Sequence, residues 1–181
     1  MRPDFHSAYE DHVWHVYGYF AYRLRSRADA EDLTQLTFER AFRAWESYDE
    51  RKGTPRTWLL TIARNALIDH RRREGSRPRS SAIPEGAHES SWAGAEEGPE
   101  ERTGIDPALA AALERLSRRE RSALALRFGA DLTTREIAEV LDLSVANVQQ
   151  ILSRALRRLR ALLELEGALP GREARSAGSR G

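Results

Sequence analysis

Cysteine is absent from this 181-residue chain, and lysine occurs once, as Lys52. Without thiols the protein forms neither disulfide bonds nor thiolate metal sites, so it must fold by packing the 40% of its residues that are hydrophobic. No apolar run approaches the roughly 20 residues of a membrane span. The N-terminus also lacks the apolar core of a signal peptide. We therefore expect a cytoplasmic protein with room for one large or two small domains.

The usual signatures of catalysis are missing as well. The sequence has no glycine-rich phosphate loop, no nucleophile elbow and no pair of buried carboxylates. His12 and His15 are spaced for one helix face, but no cysteine or carboxylate completes a metal site with them, which favours surface histidines. We therefore expect neither enzyme activity nor a metal ion or other cofactor.

Charge is nearly balanced overall, at a formal +1 from 29 basic and 28 acidic side chains. The distribution is uneven, because arginines gather in two groups, one at positions 71–73 and the other at Arg154, Arg157, Arg158 and Arg160. Local positive fields of this kind matter more than the net charge for binding nucleic acid.

Two helices joined by a tight turn are predicted for residues 133–163. Thr133 and Glu136 are placed to form a capping box, Asp142 and Leu143 make the turn, and Ser144 is a natural N-cap for the second helix. The apolar face of that helix carries Val148, Leu152, Ala155, Leu156 and Leu159. Its other face carries amides and guanidinium groups suited to base edges and phosphates, which indicates a DNA-reading module. A helical hairpin with a solvated polar face is the alternative on this pattern alone.

The first block of the chain, residues 5–74, is predicted to form three helices. The first runs from Phe5 to Phe20, and Asp29 is placed to cap a second from Ala30 to about Trp45. The broad apolar surface of this second helix is formed by Leu33, Leu36, Phe38, Ala41, Phe42 and Trp45. A third helix opens at Pro55, is capped by Thr54 and continues to Arg73. Within it, Trp58 is expected in the core rather than as a base-stacking residue.

The fold class that follows is all-α, with two small helical domains at residues 1–74 and 105–166. Residues 75–104 are rich in Gly, Ser, Pro and Glu and show no sustained period, which predicts a flexible acidic linker. Residues 167–181 have the composition of a disordered tail. No internal repeat or β-type alternation appears in the sequence.

Both blocks resemble one protein family. Residues 29–73, DAEDLTQLTFERAFRAWESYDERKGTPRTWLLTIARNALIDHRRR, are similar to the second conserved region of bacterial sigma factors of the sigma-70 family, in the small extracytoplasmic-function (ECF) group. Residues 116–160, LSRRERSALALRFGADLTTREIAEVLDLSVANVQQILSRALRRLR, resemble the fourth region of the same group. The order of the matches and the length of the linker both suit that family.

The resemblance implies that the second helix docks on the clamp coiled coil of RNA polymerase. Four residues combine charge, amide and aromatic character suited to such an interface, namely Asp32, Gln35, Phe38 and Glu39. For Phe38, a place in the core is about as plausible as a polymerase contact. Leu36 departs from the family, which usually has an acid at this position.

The third helix and the loop before it correspond to the part of the family that opens and reads the minus-ten promoter element. A flipped base needs a shaped pocket, hydrogen-bonding groups and a cationic surface for the displaced strand. The residues with this role by resemblance are Tyr48, Asp49, Lys52, Arg56, Arg64, Asn65, Arg71 and Arg72.

The fourth-region match implies that the last helix enters the major groove at the minus-thirty-five element. The contact residues expected there are Arg135, Ser144, Ala146, Asn147, Gln149, Gln150, Ser153, Arg154 and Arg157. Gln149, Gln150 and Ile151 replace the family's usual Lys-Ser-Arg-like run and so remove two positive charges. Asp142 replaces the usual glycine at the turn, and aspartate tolerates a left-handed backbone better than most residues.

We therefore predict a transcription initiation factor of the ECF group, monomeric when free. The implied partners are core RNA polymerase, through its beta-prime clamp and beta flap, promoter DNA and an anti-sigma factor. A free-standing helix-turn-helix regulator that binds duplex DNA as a dimer is the main alternative. A sigma-like adaptor that binds polymerase without recognising promoters is another, because of residues 149–151.

Overall fold

The computed structural model describes residues 4–76, 105–165 and Gly167, and these form seven α-helices and no β-strand. The first three are α1 (Phe5–Ala21), α2 (Arg27–Ala44) and α3 (Pro55–Ser76), with a 3-10 turn at Trp45–Ser47. They pack pairwise around fully buried side chains such as Phe20, Leu59 and Leu60. The all-helical class predicted from the sequence is confirmed.

The second group of helices follows residue 105. It comprises α4 (Pro107–Glu114), α5 (Arg118–Leu124), α6 (Thr134–Leu141) and α7 (Val145–Leu165), with a π-helical turn at Ala125–Gly129 that continues α5. The long helix α7 packs against α4, α5 and α6. Most of the predicted linker and of the predicted tail lies outside the described residues.

Side-chain caps fix where several helices begin. The predicted capping box is present, since the Glu136 amide donates to the Thr133 hydroxyl at 3.3 Å and the Thr133 amide donates to the Glu136 carboxylate at 2.8 Å. Ser144 accepts a hydrogen bond from the Asn147 amide at 3.2 Å, and Thr54 accepts one from the Thr57 amide at 3.2 Å. These caps are confirmed, and such a cap is typically worth about 1 kcal/mol.

The cap of α2 differs from the prediction. Ser26, not Asp29, holds the N-cap position, because its hydroxyl accepts a hydrogen bond from the Asp29 amide at 3.1 Å and the helix begins at Arg27. Asp29 therefore lies in the first turn, where a negative charge is favoured by the helix dipole. The sequence prediction placed the cap at Asp29, although Ser26, three residues earlier, is an equally good capping residue.

Two large apolar side chains predicted to face the core are exposed instead. Phe42 is 66% exposed on α2, and Leu156 is 43% exposed on α7. The buried stripe of α7 passes through Val148, Ala155 and Leu162. Leu156 follows Ala155 directly, so it points about 100° away from that stripe on a helix of 3.6 residues per turn.

The two groups of helices pack directly against each other, α1 on the π-helical turn and α3 on α6. Gly18 and Gly129 make this approach possible, because a Cβ added to Gly18 would lie 2.0 Å from the carbonyl oxygen of Gly129. One apolar core runs across the contact, joining Phe20 of the first group to Leu126 and Ile137 of the second.

Arginines of the first group add polar links across the same contact. Arg56 binds the Glu136 carboxylate at 2.8 Å. Arg23 donates to the carbonyl oxygen of Arg118 at 3.2 Å. Arg25 donates to both carboxylate oxygens of Glu114.

Candidate functional site

One exposed face of α2 carries the polar residues predicted to bind polymerase. Asp32, Gln35 and Glu39 are all exposed, and the amide of Gln35 donates to the Glu39 carboxylate at 3.1 Å. Their spacing of three and then four residues places them on the same side of the helix. The exposed ring of Phe42 lies three residues further along and extends this face.

Phe38 lies beneath that face rather than on it. It is 5% exposed, and its ring packs edge-on against Tyr9 with the centroids 4.8 Å apart. Phe42, which the site prediction omitted, is the aromatic ring that reaches solvent. The spacing from Glu39 to Phe42 is the sequence signal that could have identified it.

The loop between α2 and α3 is organised by an aromatic cluster of Trp45, Tyr48 and Trp58. Tyr48 is 6% exposed, its ring stacks on Trp45 with centroids 5.2 Å apart, and its hydroxyl donates to the carbonyl oxygen of Gly53 at 2.8 Å. Trp58 packs against both rings and is partly buried, in line with its predicted place in the core. Tyr48 thus shapes the loop and offers little ring surface to a ligand in this arrangement.

The charged residues of the loop and of α3 divide by exposure. Lys52, Asn65 and Arg72 are exposed, whereas Arg64 is half-buried. The remaining predicted residues contact other protein groups. Asp49 accepts from Arg51 at 3.0 Å, Arg56 binds Glu136, and Arg71 donates to the carbonyl oxygen of Arg23 at 3.3 Å. Three exposed and five less accessible residues therefore make up the predicted minus-ten set.

Glu136 couples the two groups of helices electrostatically. Burial alone would raise the pKa of Glu136, but hydrogen bonds from Arg56 and Thr133 outweigh burial and hold the pKa below its ordinary value of 4.5. The carboxylate is therefore ionised at neutral pH and keeps Arg56 turned toward α6. Arg56, a residue of the predicted minus-ten set, is thus bound to a carboxylate of the second group.

All nine residues predicted to contact the minus-thirty-five element are exposed. Six of the seven on α7 line a shallow, open groove, namely Ala146, Gln149, Gln150, Ser153, Arg154 and Arg157. Arg154 donates to the side-chain oxygen of Gln150 at 3.4 Å, and Arg157 donates to the carbonyl oxygen of Ser153 at 3.3 Å. These contacts are local, so the guanidinium groups stay on the surface of the helix.

The turn before α7 has a left-handed backbone at Asp142, the position where the family usually has glycine. Asp142 has φ of 54° and ψ of 54°, the left-handed conformation, and its amide donates to the carbonyl oxygens of α6. Aspartate is among the few residues that adopt this region without a large penalty. The helix-turn-helix therefore forms with aspartate in the position where glycine is usual.

Within the described part of the chain, no three His, Asp or Glu side chains come together as metal ligands would. The rings of His12 and His15 lie near each other, with centroids 5.8 Å apart. No described helix is long and apolar enough to cross a bilayer.

Comparison with known families gives two matches, in chain order. Residues 8–77 match the model of sigma-70 region 2, and residues 112–161 match the model of sigma-70 region 4. The chain is 32% identical over 154 residues to the ECF RNA polymerase sigma factor SigM of Bacillus subtilis, covering 85% of this chain and 91% of SigM. It is 30% identical to SigL of Mycobacterium tuberculosis, covering 86% of both chains. With BldN of Streptomyces coelicolor the identity is 32%, over 86% of this chain and 58% of BldN.

Solved structures share the fold. The sigma factor RpoE from Bartonella quintana, in complex with the anti-sigma factor NepR, superposes with a TM-score of 0.62 at 24% identity, covering 84% of this chain and 92% of RpoE. CnrH, in complex with the cytosolic domain of CnrY, gives a TM-score of 0.63 at 23% identity, covering 89% and 88%. The match to region 2 argues against a free-standing helix-turn-helix regulator, because such a regulator does not need a sigma-70 region 2. The chain therefore belongs to the extracytoplasmic-function group of RNA polymerase sigma factors within the sigma-70 family.

Proposed function

We propose that the two ends of this sigma factor hold different promoter elements while α2 holds the polymerase. In this proposal α7 reads the minus-thirty-five element, and α3 with its preceding loop captures the minus-ten strand. The exposed face of α2, from Asp32 to Phe42, docks on the beta-prime clamp, and the region 4 end contacts the beta flap. The chain supplies recognition in the cytoplasm as a monomer, and the polymerase supplies catalysis. The observation that most supports this proposal is the exposed groove of amide and guanidinium groups on α7.

Binding both elements requires the two groups of helices to separate. The elements are centred about 25 base pairs apart, which is roughly 85 Å along straight DNA at 3.4 Å per base pair. In the free chain the groups are in van der Waals contact at Gly18 and Gly129. The 28 residues from 77 to 104 can extend to roughly 95 Å, so the chain is long enough to allow this separation.

An anti-sigma factor is the third proposed partner. Support comes from RpoE, which shares this fold and was solved with the anti-sigma factor NepR. CnrH, of the same fold, was also solved with a bound protein domain, the cytosolic domain of CnrY. The exposed face of α2 combines charge with the largely exposed aromatic ring of Phe42, which packs edge-on against Phe5, and this combination suits a competitor for the polymerase surface. A binding protein of this kind would keep the sigma factor from the polymerase until a signal releases it.

Reversing the charge of Asp32 is expected to weaken polymerase binding by about tenfold or more, equivalent to about 1.4 kcal/mol. Asp32→Arg places a cation at the N-terminal end of the proposed docking face, where it meets the groups that Asp32 would have bound. Binding to sigma-free core polymerase is measured by fluorescence anisotropy. Glu10→Arg is the matched control, because Glu10 is an exposed acid on α1, outside the docking face of α2. Equal losses in both variants would contradict the docking face.

Restoring the two missing charges on α7 is expected to strengthen DNA binding. Gln149→Lys with Ile151→Arg adds two cations beside Arg154, and each new phosphate contact should steepen the dependence of log K on log salt by about 0.9. The measurement is a salt titration of affinity for a promoter fragment. Ala111→Lys with Ala161→Arg adds the same charge at exposed positions outside the groove. An unchanged slope in the first variant would show that this part of α7 does not touch DNA.

A run-off transcription assay tests the proposal as a whole. Purified protein is mixed with sigma-free core polymerase and a genomic fragment library, and the transcripts are sequenced. The proposal predicts discrete start sites that share two spaced upstream elements. Polymerase binding without start sites would instead favour the adaptor, which the residues at 149–151 keep as the second candidate.

A further inference from the structure

A cluster of arginines lies where the end of α1 meets α5, away from the polymerase and promoter surfaces proposed above. Arg23 lies just past the end of α1, and Arg118 and Arg121 lie on α5. Nη1 of Arg23 donates to the carbonyl oxygen of Arg118 at 3.2 Å, and Arg23 and Arg121 line one small cavity between the two groups of helices. The cluster therefore places cationic side chains of both groups against each other at their contact.

Two of these side chains, those of Arg23 and Arg121, are almost completely buried. They are 5% and 9% exposed, and the Nε of each is fully buried without a hydrogen-bond partner among the described residues. A buried cation is costly unless acceptors replace the water that it has lost. Burial, followed by the charge of Arg23, lowers the pKa of Arg121 below its ordinary value, which means that the packed arrangement disfavours this cation.

The acid beside Arg121 is already engaged by another arginine. Glu114 favours the charged form of Arg121, but Arg25 donates to both carboxylate oxygens of Glu114. Arg25 with Glu114 is thus a complete ion pair across the contact, as is Arg56 with Glu136. Arg121 adds a further positive charge to this contact, and within the described ranges no carboxylate pairs with it alone.

We propose that Arg121 destabilises the packed arrangement of the two groups, so that they separate readily when a partner binds the open form. In the packed form Arg121 is dehydrated and faces Arg23, whereas separation returns both guanidinium groups to water. Apolar replacements for buried charges often stabilise a protein for the same reason. This role rests on the proposed function, because a weakened contact is useful only in a chain that must open to reach two promoter elements.

The packed arrangement is then held by opposing contributions. The apolar core across the contact and the two ion pairs favour packing, and Arg121 opposes them. A two-state element responds to a partner only when the free-energy difference between its states is small enough for the partner to overcome. The buried cation reduces that difference without taking part in any surface proposed to bind the polymerase or DNA.

The test replaces Arg121 with methionine, an apolar side chain of similar size. We expect Arg121→Met to raise the Tm of the full chain by roughly 3–6 °C, because the packed form loses a dehydrated charge. The transcript yield with core polymerase at limiting sigma factor should fall about five- to tenfold, because opening becomes harder. Arg119→Met removes the same charge from an exposed position on α5 and should change neither quantity.

A second variant separates an effect at the contact from an effect within the second group alone. Gly18→Ala forces the groups apart at Gly129, so Arg121 is already hydrated in that chain. Adding Arg121→Met to Gly18→Ala should therefore change Tm and transcript yield very little.

Two results would overturn the proposal. One is an unchanged or lower Tm in Arg121→Met, and the other is a rise in Tm that is equally large with and without Gly18→Ala. A higher Tm that depends on Gly18, combined with an unchanged transcript yield, would instead contradict the proposed separation of the groups and would leave the destabilising effect of Arg121 standing.

Discussion

Gly18→Ala is expected to separate the two groups of helices in the free protein while leaving each folded. The new Cβ would lie 2.0 Å from the carbonyl oxygen and 2.9 Å from the carbonyl carbon of Gly129, both backbone atoms that cannot rotate away. The helices must therefore move apart. Within α1 itself the change is favourable, because alanine exceeds glycine in helix propensity by about 1 kcal/mol.

The measurement for Gly18→Ala is the radius of gyration by small-angle X-ray scattering, with circular dichroism to confirm helix content. We expect a larger radius, unchanged helicity and a higher transcript yield at limiting sigma factor, since opening no longer has to disrupt the contact. Glu10→Ala, at an exposed position on the same helix, should change none of these. A Gly18→Ala chain as compact as the wild type would mean that the glycine contact does not set the packing.

Arg56 and Glu136 form an ion pair, and removing the two partners one at a time is expected to have opposite effects on transcription. Loss of the Glu136 charge should raise transcription, and loss of the Arg56 charge should lower it. Both substitutions weaken the packed arrangement by the same lost interaction. Arg56→Gln also removes a proposed minus-ten contact, whereas Glu136→Gln frees Arg56 for DNA. Glutamine also suits the capping box with Thr133, so α6 keeps its start.

For a half-buried pair worth on the order of 1 kcal/mol, Glu136→Gln should raise promoter opening about fivefold, whereas Arg56→Gln, which loses its DNA contact as well as the pair, should lower it. Opening is followed by permanganate footprinting of the minus-ten region. Glu10→Gln, at an exposed position on α1, is the control and should have no effect. Decreases in both variants would show that Glu136 does not restrain Arg56.

The same pair sets an expected pH dependence. The pKa of Glu136 is lowered by folding, so its stabilising contribution is present above the ordinary value of 4.5 and is lost as pH falls through the lower pKa of the folded state. The packing of the two groups should therefore be independent of pH between about 6 and 8 with respect to this residue. The packing of the two groups should begin to loosen only below pH 4.5. The pH dependence should be weaker in Glu136→Gln, because glutamine has no carboxyl group to titrate.

Local signals in the sequence account for most of the helices. Thr133 with Glu136, Ser144 and Thr54 are caps whose partners lie three residues away, and each was predictable because the interaction is local. The cap of α2 was missed because Ser26 and Asp29 are both good capping residues, and only the backbone decides between them. The exposed amide and guanidinium face of α7 was predictable from helical period alone.

Features that depend on contacts between distant residues were not predictable. Nothing in the sequence around Gly18 and Gly129 indicates that the two residues contact each other, because glycine occurs in proteins for many other reasons. Arg23 and Arg121 are buried against the general preference of arginine for the surface. Phe38 and Phe42 are both aromatic and four residues apart, and the packing of α1 determines that the first is buried and the second exposed.

The most direct test of the account is a distance measurement between the two groups of helices before and after promoter binding. The chain has no cysteine, so Ala28→Cys with Ala161→Cys, both exposed, can be labelled without side reactions for energy transfer. The account predicts high transfer in the free protein and low transfer once core polymerase and promoter DNA are bound. High transfer that persists in an actively transcribing complex would contradict the claim that each group holds its own promoter element.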